Sequence, residues 1–270
     1  MGDIFYKKIS EENIPVVGQP SFAPESFDIK KDIKFEVSYE IMDGLTIKSD
    51  WSFDLLKVDE YLFQNGRYGD GRRIGGYANE GGISQTNWLG TQSIQFTPQD
   101  TGNHNMNFFA AYEAQKVMTR TIELTGEGFS HPDLKYAASA ANPTQAYSAR
   151  SDYAFQSYFA RANYDYNSEY FLSMSFRRDG SSRFGPDQRW GTFGSIGVGW
   201  NMTRLIESVP VIDFLKLRGS FGTTGNAGIG NFDWAGLWGF TRDYDGNPGA
   251  APSQVSNNLL TWESQENFNI

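Results

Sequence analysis

Between residues 153 and 226, apolar and aromatic side chains alternate with small, polar or charged ones through one strand-length segment after another. A period of two gives a β-strand one apolar and one polar face. Over residues 169–178, Tyr170, Leu172, Met174 and Phe176 fall on one face, and Ser173, Ser175 and Arg177 on the other. Over 214–222, Leu215, Leu217 and Phe221 oppose Lys216, Arg218 and Ser220. The same rhythm appears earlier, where Ile33, Phe35, Val37 and Tyr39 alternate with Lys34, Glu36, Ser38 and Glu40. It resumes after Met42-Asp43-Gly44 with Leu45, Ile47, Ser49, Trp51 and Phe53, so the two runs predict a hairpin.

Extended along the chain, this reading predicts further strands over 88–97, 106–116, 117–125, 155–166, 190–201 and 258–270. Between 106–116 and 117–125 it places a return. Long loops are expected at 64–82, 126–150, 179–189 and 223–257, and a short helical turn at 202–209. Residues 1–30, with Pro15, Pro20 and Pro24, read as an irregular lead-in or loop, and 31–270 as one β-domain. About ten strands joined alternately by short turns and long loops match the asymmetry of outer-membrane barrels, with tight periplasmic turns and long extracellular loops. A soluble β-sandwich shows the same alternation. Strand length, and the gathering of Tyr, Trp and Phe near strand ends, favour the membrane wall. The fold class expected is therefore all-β: an antiparallel transmembrane β-barrel, partial, with about ten strands of a larger barrel.

Composition changes this picture at few points. No run of 18 apolar residues exists for a transmembrane helix, which leaves barrel strands as the spanning element. The net charge of −9 argues against nucleic acid as a partner. The absence of cysteine removes disulfides, thiol catalysis and thiolate metal sites together. No carboxylate pair flanks His104 or His131 at ligand spacing, and no Gly-x-Ser-x-Gly elbow is present, so neither an enzyme activity, a metal site nor a cofactor is expected. Asp179-Gly180-Ser181-Ser182-Arg183 reads as a tight extracellular turn in which Gly180 supplies a positive φ. The close glycines of 194–199 sit inside an alternating strand, where they ease curvature or wall packing rather than cradle phosphate. The candidate contact residues lie in the 223–257 loop: Trp234, Trp238, Phe240, Arg242, Asp243 and Tyr244. Aromatic rings beside charged groups can stack on sugar faces and bind hydroxyls, or can pack the loop or meet a partner protein.

Several of these segments resemble one family. Residues 158–166 (YFARANYDY), 175–185 (SFRRDGSSRFG), 189–193 (RWGTF), 199–201 (GWN) and 215–226 (LKLRGSFGTTGN) are similar to recurrent strands of SusC/RagA-type TonB-linked outer-membrane transporters. His104-Asn105-Met106-Asn107, Ala111-Tyr112-Glu113 and Leu260-Thr261-Trp262-Glu263 resemble shorter strand motifs of the same family. The resemblance implies an outer-membrane importer whose barrel has about 22 strands. It also implies a SusD-like surface lipoprotein as lid, and energy relayed by TonB-ExbB-ExbD through an N-terminal part. Outer-membrane lipid would surround the wall, and the cargo would be an oligosaccharide or peptide. No plug domain or TonB box is recognisable here, so the expectation is a barrel segment. A siderophore or vitamin receptor barrel, and a soluble β-sandwich binding module, stay open as alternatives.

Overall fold

The computed structural model describes residues 5–6, 25–99, 101–206 and 213–270, and most of the 1–30 lead-in lies outside them. Among the described residues twelve strands form: β1 (Phe5–Tyr6), β2 (Glu25–Met42), β3 (Leu45–Gln64), β4 (Tyr77–Phe96), β5 (His104–Glu127) and β6 (Asn142–Tyr166), then β7 (Tyr170–Ser181), β8 (Trp190–Asn201), β9 (Lys216–Asn226), β10 (Leu237–Tyr244), β11 (Asn247–Gln254) and β12 (Glu263–Asn269). Ten make one sheet in the order β1-β2-β3-β4-β5-β6-β7-β8-β9-β12, and β10-β11 is a separate hairpin. The long strands all pair antiparallel with the next one along the sheet. This is an open up-and-down wall. A sandwich needs a second sheet packed face to face, and the only other sheet described is the small hairpin.

The cross-strand register shows why the alternation reads as it does. One lateral row passes through Leu45, Phe96, Phe108, Ala162, Met174, Ile196, Phe221 and Phe268, each opposite the next. Every member is apolar. The row one residue away passes through Thr46, Gln95, Phe109, Arg161, Ser175, Ser195, Gly222 and Asn267. Its single aromatic, Phe109, lies under the Arg161 guanidinium at 5.9 Å. A slip of one residue would exchange these rows, so a wall between lipid and water specifies its own register. Very little is enclosed: the chain exposes 19066 Å², where a compact chain of its mass would expose roughly 12,000 Å².

Aromatic stacks bound the apolar face at two heights. Near the short turns, Tyr166, Tyr170 and Trp200 stack in series at 6.4 and 6.0 Å, with the His104 ring 4.9 Å from Tyr166. Nearer the long loops, Tyr112, Tyr158 and Trp190 follow one another at 5.2 and 6.1 Å. From Tyr158 to Tyr166 along β6 is about 26 Å at ~3.3 Å per residue, and strand tilt reduces its rise to roughly 20 Å. That is close to the height of an outer-membrane apolar band, and paired aromatic girdles are its usual borders.

Turn chemistry explains the register at the short-turn end. Asn167 and Ser168 both take positive φ, at 54° and 56°, as the central pair of a tight turn closed by the Glu169 N–H donating to the Tyr166 carbonyl at 2.9 Å, and with Glu169 they form a three-residue loop that sets Tyr166 opposite Tyr170. Asp165 accepts the Ser168 N–H at 2.8 Å. Trp190–Asn201 is the predicted strand residue for residue, and the helical turn expected at 202–209 includes a 3-10 helix over Thr203–Ile206.

Other boundaries move. The strand expected to begin beyond residue 30 begins at Glu25. The return placed between 116 and 117 does not exist: β5 is one strand of 24 residues, beside a β6 of 25. At ~3.3 Å per residue each is about 80 Å long, far beyond what a bilayer needs. The surplus lies on the long-loop side, where charges return to the formerly apolar face, as in the Arg150–Asp152 and Lys57–Asp59 pairs. With water on both faces there, alternation fades although pairing continues. Gly222–Asn226, read as the start of a loop, remains in β9 because β12 pairs along it, from Glu263↔Asn226 to Asn267↔Gly222.

Candidate functional site

Two features stand where a wall could meet cargo: the polar face of the sheet and the loops at its long-loop end. On the polar face, side chains hydrogen-bond sideways from strand to strand. Asn87 donates to Asp54 at 2.8 Å and Gln115 donates to Asn87 at 3.0 Å. Thr91 donates to Glu113 at 3.2 Å, and the Ser175 and Ser195 hydroxyls share a bond of 2.7 Å. Arg177 grips Asp179 through Nε at 2.8 and 2.7 Å. These ladders satisfy polar groups without covering the face. Two hollows adjoin on it, of about 820 and 780 Å³. Both include Ser173, Gly197, Ser220 and Asn269 in their lining. Cations (Lys216, Arg218) line the hollow nearer the short turns, while Glu113, Arg177, Asp179 and the rings of Phe155, Phe193 and Trp262 line the other.

At the long-loop end, Arg183 ties three segments together. Its guanidinium lies over the Tyr153 and Phe155 rings of β6, at 4.1 and 5.7 Å. Nε donates to Asn231 Oδ1 at 3.0 Å and Nη1 to the Ala227 carbonyl at 3.3 Å. Asn231 in turn donates to Ser151 at 2.6 Å, and Ser182 exchanges bonds with Ala154 at 2.9 and 3.0 Å. Close by, fully buried Phe184 packs on Trp262, whose Nε1 donates to the Arg189 carbonyl at 3.0 Å. Asp179, Gly180 and Ser181 thus end β7, and the turn expected over 179–183 lies later, at Ser182–Arg183, where the Phe184 N–H donates to the Ser181 carbonyl at 3.4 Å. Gly180 has no positive φ; a Cβ there would come within 3.0 Å of the Trp190 ring. The expectation for 194–199 fares better, since a Cβ on Gly197 would meet the Ser173 hydroxyl at 2.7 Å.

The 223–257 region is not one loop. The end of β9, a stretch over 227–236 and the β10-β11 hairpin share it. The Gln254 amide holds the base of that hairpin, reaching the carbonyls of Phe232 at 2.8 Å and Ala235 at 2.7 Å. Trp238 is 59% and Phe240 76% exposed, and Asp243 is exposed as well. Arg242 and Tyr244 lie in the same strand. Trp234 sits below, half-buried, with a buried indole N–H that meets no acceptor. No ring contact joins Trp234, Trp238 and Phe240. Register shifts beside Leu237 and between Gly239 and Arg242 interrupt the alternation that would align them on one face. The structure therefore presents separate exposed rings on a projecting hairpin, not a preassembled aromatic cluster. Sequence reasoning missed the Arg183 latch; its one signal was the Tyr153-x-Phe155 spacing, which sets two rings on the same face of β6.

Known proteins share this architecture. The family model for TonB dependent receptor-like β-barrels matches residues 14–270. A TonB-dependent receptor of Formosa agariphila is 26% identical over 262 residues, covering 93% of this chain and 26% of that protein. The TonB-dependent receptor SusC of Bacteroides thetaiotaomicron is 35% identical over 111 residues, 38% of this chain and 11% of SusC. The RagAB peptide transporter structure superposes with a TM-score of 0.84 at 22% identity, over 91% of this chain and 28% of the matched one. The chain thus spans about a quarter of the length of these broader matches. Together with a wall that is apolar on one face and polar on the other, the match makes this chain a member of the TonB dependent receptor-like β-barrel family.

Proposed function

We propose that this chain forms part of the wall of a TonB-dependent importer in a bacterial outer membrane. Its cargo would be an oligosaccharide or another oligomeric nutrient such as a peptide, delivered with a SusD-like lipoprotein. TonB-ExbB-ExbD would supply the energy. The observation that carries this reading is the pair of adjacent lateral rows, one wholly apolar and the next polar, on a sheet of the TonB-receptor family. In a closed barrel the apolar rows face lipid, and the polar rows, with their adjoining hollows, line the passage. Likeness to SusC and to RagAB supports an oligomeric cargo and a lid lipoprotein over the small chelates of siderophore receptors. Trp238, Phe240 and Asp243, with Arg242 and Tyr244 in the same strand, are the proposed contacts for cargo or lid.

Uptake in a strain deleted for the complete gene tests this directly. Complementation should restore import of labelled oligosaccharides or peptides and lose it when TonB is removed. Restored import of a ferric siderophore alone would replace this reading with the chelate-receptor alternative.

A further inference from the structure

The apolar face carries a feature that transport does not use. A groove runs along β5 and β6, with Ala110 and Ala160 in the lining of both its hollows, of about 640 and 420 Å³. Ile94 on β4 and Phe176 on β7 form its walls. At the upper end it meets the Tyr112–Tyr158 stack, where Gln156 donates to the Tyr112 hydroxyl at 2.9 Å. Two cations stand at this mouth. Arg178, opposite Tyr158 in register, lies over the Trp190 ring at 5.2 Å and has no carboxylate in salt-bridge range among the described residues. Lys116 stands on the same face, opposite Trp88 and Ala154. The nearby carboxylate, Asp152, is held by Arg150 at 2.7 Å; the Lys116 charge also acts on it, from beyond salt-bridge range.

We propose that this groove is a site for a phosphorylated, multi-acyl glycolipid of the outer leaflet, with acyl chain on the alanine floor and phosphates at Arg178 and Lys116. The inference rests on the outer-membrane reading above. Long loops mark the outward side, so Arg178, opposite Tyr158, sits at the upper aromatic girdle, and Lys116, opposite Ala154, stands further out, towards the outer headgroups. Basic side chains there attract anionic headgroups, and guanidinium binds phosphate in a bidentate fork. By strand spacing and rise, the two cations stand about 16 Å apart along the wall. That separation suits a headgroup with a phosphate at each end better than one with a single phosphate.

The complete protein in lipid nanodiscs provides the test, with native mass spectrometry reading retained lipid. Probes are bisphosphorylated lipid A, the same lipid dephosphorylated, and phosphatidylethanolamine. Wild type should retain bisphosphorylated lipid A at least tenfold better than either comparator. K116Q/R178Q should lose that preference, A160F should lose retention of all lipid A forms, and K57Q, altering an outer-face lysine elsewhere, should change neither. Equal retention of the three lipids, or a K116Q/R178Q variant that keeps the preference, overturns the proposal. Membrane fractionation separates the two levels of failure. A folded wild type in the outer membrane without lipid preference sinks this site alone, whereas a wild type outside that membrane sinks the wall reading with it.

Discussion

At the scale of single residues, glycine marks where backbone and rings approach too closely for any side chain. A Cβ on Gly225 would fall 1.9 Å from the Phe193 ring. Overpacking of that kind costs roughly 1–3 kcal/mol. G225A should lower the urea midpoint of the detergent-solubilised complete protein, while adding G225A to F193A, with the ring removed, should cost little beyond F193A alone. Gly102 poses a different problem: nothing lies within 4 Å, but φ is +64°, so G102A should cost about 1 kcal/mol through backbone strain alone. Charge pairs contribute less. Asp152 is part-exposed, and the hydrogen bond from Arg150 holds its carboxyl below the ordinary 3.8. A depressed carboxylate stabilises above its unfolded pKa and loses that contribution as pH falls through the folded one. D152N should therefore leave stability at pH 7 nearly unchanged, as exposed pairs generally do, and any small difference from wild type should vanish in strong acid. A large loss at pH 7 would show that the pair is shielded from solvent.

At the scale of elements, the wall strands between the two girdles were legible because lipid on one side and water on the other demand opposite faces at every step. Tyr170 to Phe176 shows this plainly: all four even positions fall in the apolar set. Legibility ended where that asymmetry ended. Above the upper girdle both faces of β5 and β6 meet water, so the pattern suggests a return between Lys116 and Val117 although the strand runs straight through it. The β10-β11 hairpin was hidden for another reason, since two register shifts scramble its alternation. Trp238, Phe240 and Asp243 stand exposed there while Trp234 is half-buried, and the absence of ring contact among the three aromatics cannot be read from spacing. W238A/F240A should leave membrane insertion intact and weaken co-purification of a lid lipoprotein or uptake of cargo at least several-fold; unchanged behaviour in both assays would remove the hairpin from the contact surface. The Arg183 latch makes a separate prediction. Lysine cannot span two rings and two acceptors with one planar group, so R183K should behave nearly like R183A and speed proteolysis within 227–236. Wild-type protection in R183K would mean that charge alone holds the loops.

At the scale of the molecule, the account depends on which face meets lipid. β2 and β12 stand at or beside the ends of an open sheet, and unpaired backbone in hydrocarbon is costly. Residues 1–270 alone should therefore fail to insert stably, while a complete barrel, whose further strands pair those edges, should insert. The orientation itself can be measured one residue at a time. The chain contains no cysteine, so single cysteines introduced along β7 from 172 to 177 need no background removed from these strands. With a nitroxide at each position of the complete protein in bilayers, collision rates with oxygen and with a water-soluble nickel chelate report lipid and water exposure. Labels at 172, 174 and 176 should favour oxygen and those at 173, 175 and 177 the chelate, in strict alternation. A flat profile, or one with the two sets exchanged, would contradict a wall with apolar rows in lipid and polar rows lining the passage.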